Sequence, residues 1–238
     1  MKRIVMKMRK MKHCLFLPFV ALLLASCTEG AKYTEYNGTI CYTYWTFSFG
    51  RQYKELPQVD PATFDSVNNW LGRDAEHVYF KDRLVEGADA STVEAEKYPL
   101  FMDKSDYFYM TARMHVADKE SFKVLKRVED HVWAKDSRYA FFDSLRIDSV
   151  ELATFRVLEA FTAVDKNHVY YFGKILPLAD PETYEPRWKG IYSRDKSHIW
   201  CGDDLLEDAD YATFDVDEEG RGFDKYGRFY YEKRDTVP

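Results

Sequence analysis

Six aspartates, Asp74, Asp103, Asp136, Asp165, Asp195 and Asp224, recur at intervals of about 30 residues. Carboxylates in such number could act as general acids and bases, cleave a glycosidic bond as a pair, or converge on a calcium ion. Three histidines, His77, His168 and His198, each follow one of these aspartates at the same offset. A catalytic group is needed once, so copies kept in register speak for the scaffold instead of a reaction. His115 and His131 stand outside the register, and neither belongs to a Ser or Cys nucleophile motif. The chain holds no HExxH, no GxSxG, no glycine-rich phosphate loop and no CxxC. Its densest acidic runs, Glu207-Asp208-Ala209-Asp210 and Asp215 to Glu219, lack the DxDxDG calcium-loop pattern. The expectation is a non-enzymatic protein with no catalytic residue, no metal and no cofactor. A hydrolase with an unrepeated acidic or His site is the distant alternative.

Further columns accompany each aspartate. Five residues on stands an aromatic: Tyr79, Phe108, Phe141, Tyr170, Trp200 and Phe229. The next position holds Phe80, Tyr109, Phe142, Tyr171, Cys201 and Tyr230. Downstream come an aliphatic or Met (Val85, Met114, Ile147, Leu176, Leu206), an acid (Asp89, Asp118, Glu151, Asp180, Asp210) and a hydroxyl (Thr92, Ser121, Thr154, Thr183, Thr213). Columns of this depth mark a tandem array.

Each unit reads as β structure. His168 to Tyr171 is β-branched and aromatic, a glycine-containing break follows, and Ile175-Leu176 resumes, which is the grammar of a hairpin. Ala179-Asp180-Pro181-Glu182-Thr183 then suits one helical turn or an Asx-type corner, followed by a looser third strand. One hairpin cannot bury its aromatics alone, and adjacent aromatics point to opposite faces of a strand, so units must stack. The fold class is all-β, with single helical turns and hairpin repeats in an open, solenoid-like or stacked array. A closed propeller-like ring is the alternative.

The stretch Asp165-Lys166-Asn167-His168-Val169-Tyr170-Tyr171, with Asp195-Lys196-Ser197-His198 and Asp224-Lys225 as further copies, resembles the DKNYY family of bacterial repeat proteins. The aligned copies run over residues 56–235. The resemblance implies a predominantly extracytoplasmic repeat protein and no particular reaction. The motif's Lys is missing at Asp74-Ala75-Glu76 and Asp136-Ser137-Arg138.

The N-terminus points the same way. Lys2, Arg3, Lys7, Arg9, Lys10 and Lys12 precede an apolar run, Cys14 to Ala25, that is shorter than the roughly twenty residues a membrane span needs. Leu24-Ala25-Ser26-Cys27 resembles a bacterial lipobox, which implies cleavage before Cys27 and its lipidation. The expected organisation is a signal over 1–26, a lipid-anchored tether over 27–40 and a repeat domain over 41–238. Thr28 after the cut, in place of Asp, leans toward the outer membrane of a bacterial envelope.

The net charge of −6 argues against a nucleic-acid partner. The expected partners are the membrane, through the anchor, and a protein or glycan on the repeat surface. Repeat arrays present extended faces, which favours an interaction or scaffold role. The 17% aromatic content makes a carbohydrate-binding module the first alternative, with Trp45, Trp70, Trp133 and Trp188 as the candidate ligand-facing aromatics and Tyr42 and Tyr44 beside them. Cys41 and Cys201 remain after processing. An exported compartment permits a bridge between them, and nothing in the spacing requires one.

Overall fold

The computed structural model describes residues 30–187, 191–231 and 233–235. A three-stranded antiparallel sheet opens the array: β1 (Lys32–Tyr36), β2 (Thr39–Thr46) and β3 (Gly50–Glu55). Six four-stranded meanders follow, the first being β4 (Asp65–Ser66), β5 (Leu71–Arg73), β6 (Val78–Phe80) and β7 (Arg83–Leu84). The others cover residues 94–113, 123–147, 156–175, 185–205 and 215–234. Within each sheet every strand pairs antiparallel with its neighbour in sequence, as Leu71 does with Phe80 and Tyr79 with Leu84.

The fold is all-β, as the columns imply, with two local differences. Each repeat carries four strands, not three. The extra one is only two residues long in most copies, too short to leave a periodic trace. Of the two readings of the corners, the Asx-type one holds and the helical turn does not. Asp60 caps one by accepting the Ala62 N–H at 3.0 Å and the Thr63 hydroxyl at 2.7 Å, and the chain leaves after a single Thr63 N–H to Asp60 carbonyl bond. β1 also lies within the segment 27–40 expected to be a tether.

The two adjacent aromatic columns face opposite neighbours, and this stacks the sheets. Phe80 packs onto the following sheet with Phe101 and Phe108, while Tyr79 packs onto the preceding one with Ile40 and Tyr42. Phe142 meets Ala163 and Tyr170, and Phe141 meets Leu100 and Met114. Trp200 reaches back to Val164 and Val169, and Cys201 forward to Phe229. Among the described residues each core cluster joins consecutive sheets, and none joins the first to the last. The array is an open stack. In the last described sheet Phe229 is buried, whereas Tyr230, on the face that no sheet among the described residues covers, is 73% exposed.

The hairpin turn after each aromatic pair needs a left-handed residue. Lys81, Met110, Asp143, Phe172, Gly202 and Tyr231 all have φ between 48° and 65°, and Gly202 alone is the residue type that takes this without strain. Glu129, exposed in the turn between the strands Lys123–Val128 and His131–Lys135, shares the conformation at φ 53°. Glu129→Gly is therefore expected to raise stability by about 0.5–1 kcal/mol, read as a higher denaturant midpoint with an unchanged slope.

Candidate functional site

The repeated aspartates sit in the turn joining the second and third strands of each meander, and each works as a latch. Asp165 Oδ1 accepts the backbone N–H of Asn167 and of His168, both at 2.7 Å. Its Oδ2 accepts the Glu151 N–H from the corner leading into the sheet and the Tyr170 hydroxyl, again at 2.7 Å. Asp74 repeats the pattern with Glu76, His77, Asp60 and Tyr79. One carboxylate thus ties the central hairpin of a sheet to the corner that enters it.

The remaining copies keep three of these backbone bonds, or two at Asp224, and vary the fourth. Asp103 is held by Ser105, Asp106 and Asp89, and Asp195 by Ser197, His198 and Asp180. Asp136 is held by Arg138, Tyr139 and Ala117. Its corner lies further back because the longer hairpin of Lys123–Val128 and His131–Lys135, with its bulge between Val124 and Lys126, intervenes. At Asp224 the Arg234 guanidinium takes the hydroxyl's place, bonding Oδ1 at 2.6 Å and Oδ2 at 2.7 Å. The hydroxyl column closes a second bond between corner and hairpin, as when Thr154 Oγ1 accepts the Lys166 N–H at 2.9 Å and Thr63 Oγ1 the Ala75 N–H at 3.1 Å. The lysines of the motif lie over the corner acids: Lys225 pairs with Asp210 at 2.7 Å, and Lys104 and Lys196 pair with Asp89 and Asp180.

These bonds dictate the ionisation of the latch. Burial alone would raise the Asp74 carboxyl, but the Asp60 N–H, the Tyr79 hydroxyl and the Glu76 and His77 N–H groups bring it down to about 2. Burial likewise opposes ionisation of Asp103, Asp165 and Asp195, and their donors again win. The Arg234 bond is the main cause of the low value at Asp224. The partner tyrosines move the other way: burial first, then the bond to the carboxylate, pushes Tyr79 and Tyr170 well above the usual phenol range. A carboxylate whose lone pairs already hold backbone donors is poorly placed to accept a proton from a substrate.

The histidines of the register, His77 and His198, lean on their own latch aspartates at 3.4 Å. The unrepeated His131 is held differently: its Nδ1 lies 2.8 Å from Asp143 Oδ2, and Asp143 Oδ1 accepts the Val132 N–H at 2.8 Å. The rings of Phe142, Phe161 and Phe172 surround that imidazole at 5.4 to 6.0 Å. Cys41 and Cys201 are both buried and are not bridged to each other, Cys41 in the first sheet and Cys201 in the core near the other end of the stack.

The aromatics separate sharply. Trp133 is not ligand-facing: it is 1% exposed, packs on Phe142 and Phe155, and donates its indole N–H to the Ala160 carbonyl at 2.9 Å. The reason lies in its column, three residues before the aspartate, where Leu71 and Leu100 also point into the core. Tyr42 is buried as well, Tyr44 and Trp70 are half-buried, and Trp70 lies against Tyr98 and Phe80. Trp188 and Cys27 lie outside the described residues. Trp45 is exposed at 56%. Beside it the structure adds residues that no column marks, Phe47 and Phe49 at the tip between β2 and β3, while the stacked pair Tyr36 and Tyr53, with ring centroids 4.3 Å apart, lies farther back along the sheet toward the β1–β2 turn. The signal for them was available, because residues 36–50 contain no charged side chain in a chain that is 31% charged.

A protein-family model described as the DKNYY family matches residues 5–112 and 118–204. No curated protein and no solved structure matches the chain.

Proposed function

The chain belongs to the DKNYY family, and from that footing we propose that it is a non-enzymatic, lipid-anchored protein of the bacterial envelope whose stacked sheets present an interaction surface. The observation that carries the reading is the latch: the residues with the most obvious capacity for chemistry are engaged, copy after copy, in holding turns to corners. That leaves the outer faces of the stack as the part free to meet a partner. The lipobox-like Leu24-Ala25-Ser26-Cys27 supports the anchor, and Thr28 after the cut supports the outer membrane.

Labelling with a palmitate analogue in a bacterial host tests the anchor. The wild-type chain is expected to carry the label and to fractionate with membranes, and Cys27→Ala to lose both. A label that persists in Cys27→Ala would remove the lipidation from this residue. Among the described tryptophans Trp45 is the exposed one, so it carries the carbohydrate-binding alternative there, while Trp133 is enclosed.

A further inference from the structure

The tip between β2 and β3 is the most apolar exposed feature of the first sheet. Phe47 is fully exposed and Phe49 is 81% exposed, with Trp45 beside them. The tip is nonetheless ordered. Thr46 Oγ1 accepts the Phe49 N–H at 3.2 Å and donates to the Gly50 carbonyl, and Gln52 Nε2 donates to the Phe49 carbonyl at 2.9 Å. Gly50 turns the chain at φ 67° directly under the Trp45 ring, where even a Cβ would come within 3.5 Å of it. No charged side chain occurs between residues 36 and 50. Aromatic rings on a hydrogen-bonded tip whose adjoining charge is the cationic Arg51, opposite Trp45, suit the water–lipid boundary, where an apolar body and polar edge are both accommodated.

The register says which way this projection points. Lys32 at the start of β1 pairs with Thr43, so the N-terminal end of β1 lies at the same edge of the sheet as the tip that follows Thr46. Lys32 follows Cys27 by five positions, a reach of at most ~17 Å when fully extended. A lipid on Cys27 would therefore hold that edge, and the aromatics on it, close to the bilayer.

We propose that Trp45, Phe47 and Phe49 insert into the interfacial region of the bilayer that holds the anchor, forming a second attachment that fixes the stack's orientation. The proposal rests on the lipid-anchor reading above. Interfacial binding grows with buried apolar area, and an uncharged tip avoids the repulsion that the acidic chain as a whole would meet at anionic lipids.

The test uses the full chain, produced in a bacterial host and reconstituted into phosphatidylcholine vesicles carrying nitroxide near the headgroup. Mass spectrometry of the N-terminal peptide first reports whether Cys27 is acylated. The nitroxide is expected to quench a component of the tryptophan emission that is absent from Trp45→Phe. A Phe47→Ser/Phe49→Ser chain, whose exposed substitutions leave the denaturant midpoint unchanged, is expected to lose the same component. An acylated wild-type chain quenched no more than Trp45→Phe would overturn the proposal. If Cys27 carries no acyl group, the anchor reading fails separately. The same vesicles added to that unacylated chain then decide on the tip: quenching of Trp45 supports insertion, and its absence refutes it. Cross-linking of the tip to a second copy without lipid quenching would also refute it, reassigning the aromatics to an interface between chains.

Discussion

Asp165→Ala is expected to destabilise the array by about 3 kcal/mol, because it strips the acceptor from three backbone N–H groups and the Tyr170 hydroxyl at once. A hydrogen bond to a charged group contributes roughly 1.5–3 kcal/mol, and water reaching the rim of the turn recovers part of the loss. Asp165→Asn should cost less than Ala, since one oxygen still accepts while the amide opposes the donors on the other side. The position also predicts how the chain fails. Asp165 sits mid-stack, and stability in such arrays is a sum of unit and interface contributions. A chemical melt followed by Trp fluorescence should thus broaden or split as the two flanks uncouple. An Asp165→Ala midpoint within error of wild type would show that the latch is ornamental.

Acidification should act on several latches together. Asp74, Asp103, Asp165, Asp195 and Asp224 all have folded-state pKa values below the ordinary carboxyl value. Groups depressed by folding contribute stability that is fully present above the unfolded pKa and disappears as pH falls through the folded one. For Asp74 the window runs from the ordinary 3.8 to about 2, a contribution of about 2 kcal/mol. The chain is expected to keep its denaturant midpoint down to about pH 5 and to unfold cooperatively between about pH 4 and 2. Circular dichroism melts at stepped pH check this, and a midpoint that is unchanged at pH 2.5 would contradict it.

Much of this architecture was legible because each scaffold role repeats. The aspartate, aromatic, aliphatic, acid and hydroxyl columns each recur in the same physical role, which is why reading down them found the stack. Features that the period hides were harder to see. The fourth strand is two residues long in most copies, as at Asp65–Ser66, and one pair of residues has no alternation to detect. The position two before the aspartate is small in five of the six copies, Gly72, Ala134, Ala163, Ser193 and Gly222, with Phe101 the exception, a broken column that is hard to see. Their reason is steric: a Cβ on Gly72 would meet the Phe64 ring at 2.7 Å, and on Gly222 the Phe214 ring at 2.9 Å. The burial of Trp133 shows only down the column: its place three before Asp136 aligns it with buried Leu71 and Leu100. The exposed tip lies in the first sheet, outside the aspartate register, so no column could reveal it.

Because each core cluster binds only adjacent sheets, tension applied at the two ends of the molecule passes through the interfaces in series. Every joint bears the full load, and the least cohesive one yields while the others stay shut. Such a body lengthens in steps, each releasing one meander of about 30 residues, or roughly 100 Å of contour, before the next is strained. A ring of the same units would share the load and resist until it broke as a whole.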